Sequence, residues 1–397
     1  MIPRNEYLDF LIRSKDKQII KVVSGVRRCG KSTLFEIYQN YLLKNGVSKS
    51  QIIYINFEDI DYEHLKNYRT LYDYIVSLLI NNKMNYIFLD EIQHVPMFEK
   101  CVDSLFIKKN TDIHLTGSNA YFMSGELATL LSGRYVELKM LPLSFKEYCI
   151  GNTENKSSRE KYRDYLENSS FPYTLQYGKD KKAIRDYLES LYNTVILKDV
   201  AVRYKISDLM MLESVTKFIF ENIGSRLSIT KIANTMTSNG RKIDPKTVEK
   251  FVKALSDCLL FYQTKRYDVK GKQYLRTLEK YYAVDIGLRH MLLGKKGVDQ
   301  GHILENIVYL ELLRRGYDVY VGQADNLEID FVAMNENGVS YFQVSASVRD
   351  ENTLRRELTS LQKISDHYPK IILTLDEDPS ADYEGIKCIN AIDWLLA

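Results

Sequence analysis

The 397-residue sequence predicts an α/β fold. Its N-terminal part reads as a parallel sheet with helices on both faces, followed by a helical stretch and a second α/β region. Three observations predict this. Short apolar runs alternate with segments of helical apolar spacing over the first 140 or so residues, as in doubly wound sheets. A glycine-bounded loop stands between the first run and the first long helix. A later apolar run ends in two adjacent acids, at the strand end where such sheets bind ligands.

Asn5 to Arg13 has the spacing of a short amphipathic helix, and Ile19-Ile20-Lys21-Val22-Val23 reads as a buried strand. The loop that follows is Gly25-Val26-Arg27-Arg28-Cys29-Gly30-Lys31-Ser32-Thr33. This is G-x-x-x-x-G-K-S, the phosphate-cradling P-loop pattern. Leu34, Ile37, Tyr38, Tyr41 and Leu42 then share one helix face, and Asn45-Gly46 ends it. Loop N–H groups and the positive helix end would face the phosphates. Lys31 would reach the β- and γ-phosphates, and Ser32 would ligate Mg²⁺.

Ile52–Phe57 is a second strand, and Leu71 to Leu79 a further helix. Tyr86-Ile87-Phe88-Leu89 runs into Asp90-Glu91. Asp90 would hold Mg²⁺ opposite Ser32, and Glu91 would orient and deprotonate the attacking water. Ile113-His114-Leu115 ends in Thr116-Gly117-Ser118-Asn119, where Ser118 or Asn119 could bond that water or the γ-phosphate. A plain polar loop start is the alternative. Tyr135–Leu138 is a fifth strand, preceded by Ser132-Gly133-Arg134. Arg134 could stabilise γ-phosphate charge in its own chain or a neighbouring subunit, or simply cap the strand.

The P-loop, strand-Asp-Glu, strand-Thr-Gly-Ser-Asn and Ser-Gly-Arg together resemble the AAA-type branch of P-loop ATPases. Leu138-Lys139-Met140-Leu141-Pro142-Leu143-Ser144-Phe145-Lys146-Glu147-Tyr148 is a more specific marker. It resembles a large prokaryotic family in which an AAA domain precedes a region of unknown function. That resemblance spans nearly the whole chain and implies Mg²⁺-dependent ATP binding and hydrolysis. Asn168-Ser169-Ser170-Phe171-Pro172 departs from the family's frequent Gly-Gly-Phe-Pro, which bears on a turn and not on the chemistry.

Gly151 to Ser158 is polar and marks a boundary, and Arg159 to about Lys205 is read as a helical linker. Leu209 to Asn222, Ile229 to Met236 and Pro245 to Leu259 are helical. Phe261–Thr264 and Tyr274-Leu275 flank the turn Val269-Lys270-Gly271-Lys272. Helices followed by a hairpin give a winged-helix pattern. Ser225 to Arg276 holds 12 Lys/Arg against 4 Asp/Glu, a local charge of +8, whereas the whole chain carries +3. That concentration is the footprint of a nucleic-acid binder, with Lys246, Thr247, Lys250 and Lys253 on the outer face of the third helix. DNA contact and protein contact both remain open for this face.

From Ile303 the pattern changes to a helix, strands at Asp318–Val321, Glu328–Val332 and Ser340–Ser345, a helix from Thr353 to His367, and a strand at Ile371–Leu375. Glu305, Asp330 and Gln343-Val344-Ser345 resemble the core of restriction-endonuclease-like nucleases. Gln343 and Ser345 replace the Glu and Lys that such an enzyme needs, so a non-cutting domain is expected.

The expected domains are therefore 1–150, 151–205, 206–285 and 286–397. Five scattered cysteines argue against a disulfide framework or zinc site and suit a reducing cytoplasm. No apolar stretch is long enough to span a membrane. ATP and Mg²⁺ are the expected ligands; DNA, a protein partner or self-association are candidate partners. The expected function is ATP hydrolysis that drives or gates a change in the C-terminal half. A slow nucleotide-gated switch and an active nuclease are the alternatives.

Overall fold

The computed structural model describes residues 1–117, 131, 133–294 and 299–397, and for 275–278 the backbone alone. These divide into two compact units: Met1–Pro142 with Asp257–Leu259, and Leu143–Ser256 with Leu260–Ala397. The expected segments 151–205, 206–285 and 286–397 lie in the second unit, apart from Asp257–Leu259.

The first unit begins with helix α1 (Asn5–Arg13), strand β1 (Ile20–Gly25) and helix α2 (Lys31–Lys44). Then follow β2 (Ile52–Asn56), α3 (Tyr68–Leu78), β3 (Asn85–Asp90), α4 (Phe98–Phe106), β4 (Thr111–Thr116) and β5 (Tyr135–Met140). The five strands form one wholly parallel sheet in the order β2-β3-β4-β1-β5. Every residue of β1, β3 and β4 is buried. β3 therefore reads as a nearly continuous apolar run, as a strand covered on both faces does, whereas β1 and β4 also bury Lys21, Asp112 and His114. One face packs Val22, Ile87, Leu89 and Leu115 against α3 and α4 residues such as Ile75 and Val102. The other lies under α2, where Phe35 meets Phe88 edge-on at 5.1 Å between ring centroids.

The second unit opens with α5 (Phe145–Gly151), α6 (Ser158–Asn168) and α7 (Lys181–Thr194), the last running into a π-helix over Val195–Val202. The expected linker helix is thus interrupted after Asn168. Ser169 has φ +79°, a region that favours glycine, and Ser170 donates from both N–H and Oγ to Asp285 Oδ2 at 2.7 and 2.6 Å. A Gly-Gly pair at this place would adopt the turn without that strain.

Next come α8 (Leu209–Glu221), β6 (Arg226–Leu227), α9 (Ile229–Ser238), α10 (Pro245–Asp257), β7 (Phe261–Asp268) and β8 (Gln273–Ala283). The chain continues through α11 (Ile286–Leu293), α12 (Gln300–Arg314), β9 (Asp318–Ala324), β10 (Leu327–Asn335) and β11 (Gly338–Ser345). It closes with α13 (Glu351–Gln362), β12 (Lys370–Thr374), β13 (Ala381–Tyr383), β14 (Ile386–Asn390) and α14 (Ala391–Leu396). All nine strands share one mixed sheet, β13-β14-β12-β11-β10-β9-β7-β8-β6. The basic hairpin joins the later strands because β7 pairs in parallel with β9 from Arg266 to Asp268. Among the described residues, no helix is long and apolar enough to cross a membrane.

Candidate nucleotide-binding site

The site is built where β1 gives way to α2. Gly25 closes the strand against β5: a Cβ there would stand 2.4 Å from the Met140 carbonyl oxygen and 2.8 Å from Cys29 Sγ. Gly30 sits at φ +104° and starts α2 without any side-chain cap. Among the described residues the first N–H groups of α2 have no capping side chain, the arrangement that accepts an anion. Arg28, at φ +67°, holds a left-handed conformation that costs a non-glycine residue about 1–3 kcal/mol.

Lys31 lies 5 % exposed, with Nζ 3.3 Å from the Gly25 carbonyl and 3.8 Å from Glu91 Oε1. Ser32 and Thr33 are exposed on the first turn of α2. Val26 and Cys29 are buried, and burial holds the Cys29 thiol above its ordinary pKa. Arg27 is half-buried, 3.7 Å from Glu58, while Arg28 is exposed.

Asp90 and Glu91 close the other side of the site. Strand β4 lies between β1 and β3, so the acids are one strand away from the loop. Asp90 is fully buried and accepts from Tyr54 OH at 2.9 Å and from the Thr116 hydroxyl. The same Thr116 oxygen accepts the Glu91 N–H at 2.9 Å. Glu91 adopts φ +54°, and its Oε2 accepts from Gln93 Nε2 at 2.5 Å. Thr116 thus ties both acids to the sheet, and Tyr54 holds the second Asp90 oxygen. Neither role was read from the sequence.

Arg4 was also missed. Its buried guanidinium donates to the Cys29 carbonyl at 3.1 Å and the Leu141 carbonyl at 2.7 Å, and it lies 4.8 Å over the Tyr7 ring. Tyr7 OH in turn accepts the Leu141 N–H at 3.1 Å. Together they brace the back of the loop against the end of β5. An arginine preceding a helix carries no such signal in sequence.

The structure brings Lys31, Glu91 and the loop together, but not Arg134. The β1–β5 register runs from Ile20 opposite Tyr135 to Gly25 opposite Met140. Arg134 precedes that register, so it lies at the starts of the strands, about 17 Å along β1 from Gly25. There it is 3.5 Å from Asp103 and over the Phe106 ring. Ser118 and Asn119 lie outside the described residues.

The hydroxyl of Ser32 and the carboxylate of Asp90 are hard oxygen donors of the kind Mg²⁺ takes. Among the described residues no three His, Cys, Asp or Glu side chains form a metal cage.

Sheet order, loop and strand-end acids define the first unit as an AAA-type P-loop domain. An AAA domain model matches residues 17–149; domains of unknown function, DUF8612 and DUF4143, match 159–299 and 300–393. The chain is 41 % identical over 400 residues to an uncharacterized protein of Haemophilus influenzae, covering 100 % of this chain and 99 % of that one. A second uncharacterized protein, from Methanocaldococcus jannaschii, is 30 % identical over 365 residues, covering 87 % of this chain and 78 % of the other. The chain belongs to the family these two represent, an AAA domain followed by two domains of unknown function. Its fold is also like that of the Walker-type ATPase PABY2304 of Pyrococcus abyssi. The TM-score is 0.50 at 16 % identity, over 74 % of this chain and 96 % of that one.

Proposed function

We propose that the protein binds ATP with Mg²⁺ at Gly25–Thr33 and hydrolyses it, and that nucleotide state gates the C-terminal half. The observation that carries this is the approach of Lys31 to Glu91, 3.8 Å apart, at an uncapped helix start. The ammonium is shared between Glu91 and the Gly25 carbonyl. A γ-phosphate is the stronger partner for it. Lys31 then turns to the phosphate and leaves Glu91 to accept a proton from water. Bound Mg²⁺, held by Ser32 and Asp90, would spread the charge of the phosphate oxygens. Thr116 and Tyr54 keep Asp90 in place, and Gln93 orients Glu91. Arg134 is remote from its own loop, so any part it takes in hydrolysis would be on a neighbouring copy's nucleotide. The test is phosphate release from Mg-ATP by the purified chain. Glu91→Gln should keep binding and lose turnover, and equal turnover would remove Glu91 from its role.

For the C-terminal half we propose a winged-helix module that contacts DNA. The order α8-β6-α9-α10-β7-β8 supports it. Val248, Phe251, Val252 and Leu255 are buried on α10, whereas Lys246, Lys250 and Lys253 are exposed. Binding should be lost steeply with added salt. No affinity at low salt would leave protein contact as the reading.

A further inference from the structure

Four charged side chains of the second unit meet in a cluster that the nucleotide site does not use. Glu305 comes from α12, Glu328 and Asp330 from β10, and Lys280 from β8. Lys280 Nζ stands 2.7 Å from Glu305 Oε1, 2.8 Å from Glu328 Oε1 and 3.9 Å from Asp330 Oδ1. The lysine is 3 % exposed. Tyr282 OH donates to Glu305 Oε1 at 2.6 Å, and Arg226 pairs with Glu328 Oε2.

Glu305 and Asp330 are the two acids that resemble a nuclease core, and such a core takes a divalent cation. The residues present do not fit one. The amide at Gln343 is already occupied on both sides: Oε1 accepts the Asp330 N–H at 2.7 Å and Nε2 donates to Glu357 at 2.6 Å. Asp330 Oδ2 accepts the Val344 N–H at 2.8 Å, and Ser345 Oγ donates to the Ser347 carbonyl. Above all, a cation is already there. A divalent ion bound by these carboxylates would sit about 2.0–2.6 Å from their oxygens, in the space the ammonium fills.

We propose that Lys280 is the resident cation of this cluster, standing where a nuclease-like fold would hold its metal. The carboxylates then act as a clasp. Arg226 on β6 and Lys280 on β8 belong to the helix-and-hairpin part of the unit; Glu305 belongs to α12, and Glu328 and Asp330 to β10. The ion pairs join these elements without a metal. Burial pulls the ammonium down, but Glu305, Asp330 and Glu328 together outweigh it, so Lys280 stays charged.

The test is titration of the full chain with Mn²⁺, without nucleotide, beside Asp330→Asn, Lys280→Met and the double variant. The parent and Asp330→Asn should give the same isotherm. Lys280→Met should gain one site, at least tenfold tighter than anything in the parent, and the double variant should lose it. A parent Mn²⁺ site abolished by Asp330→Asn would overturn the proposal, as would a folded Lys280→Met that gains none. If Lys280→Met does not fold, the parent comparison decides. A site sensitive to Asp330→Asn refutes the clasp, and its absence upholds it.

Discussion

Acid should weaken the first unit through one side chain, His114. It lies on β4 beneath α2, stacked on Phe88 at 4.6 Å with Tyr38 5.3 Å away. Among the described residues neither ring nitrogen makes a hydrogen bond of good geometry. Nε2 is 3.5 Å from Asp112 Oδ1, which is itself paired with buried Lys21 at 2.6 Å. Burial pushes the His114 pKa down to about 4 from an ordinary 6.5; Asp112 pulls it back and Lys21 pushes it further down. In the unfolded chain the imidazole takes a proton near pH 6.5, so between 6.5 and 4 the unfolded state binds more protons than the folded one. Stability therefore falls as pH falls through that window, by about 3 kcal/mol in all and about 2 kcal/mol by pH 5. His114→Phe keeps a ring against Phe88 and removes the proton. Urea unfolding at pH 7.5 and pH 5 should show the parent losing about 2 kcal/mol more than the variant between the two. Parallel losses would refute the assignment.

Gly25→Ala should cost about 1–3 kcal/mol, since its Cβ meets the Met140 carbonyl, and should lower nucleotide affinity; parent-like melting and binding would contradict this. Arg4→Met leaves the Cys29 and Leu141 carbonyls without their donor, at about 1–3 kcal/mol for each buried group, and a thermal melt with nucleotide titration reads both effects. Arg134→Ala should leave nucleotide affinity unchanged at a dilution where the chain is monomeric, because the side chain pairs with Asp103 at the far end of the sheet; a tenfold loss there would place it at its own chain's phosphate. Replacing Lys250 and Lys253 by Gln should reduce the salt slope of DNA binding by about 2, and an unchanged slope would move the contact elsewhere.

The phosphate loop was legible because its chemistry is local. Glycines, lysine and hydroxyl fall at fixed spacing between a strand and a helix. Asp90 and Glu91 were legible for a related reason: two acids end an apolar run. Thr116, Tyr54 and Arg4 were not, because their roles follow from strand order and not from neighbours in sequence. Thr116 meets Asp90 only because β4 lies beside β3, and Arg4 reaches Cys29 only because α1 lies against the end of β5. Arg134 was legible in principle. It precedes a strand parallel to β1, and that alone sets it at the end of the sheet opposite the loop. In the second unit the hairpin could be seen but not its partner, since the β7–β9 pairing joins residues more than fifty apart. Lys280 lies just past the basic stretch and carried no signal in sequence, because its carboxylate partners come from α12 and β10.

The central claim is that Gly25–Thr33 holds a nucleotide, and equilibrium binding of Mg-ATP to the parent and to Lys31→Ala tests it most directly. The parent should bind saturably at one site, and the variant should bind at least tenfold more weakly while melting normally. Equal affinity in a folded Lys31→Ala chain, or no binding by the parent, would contradict it.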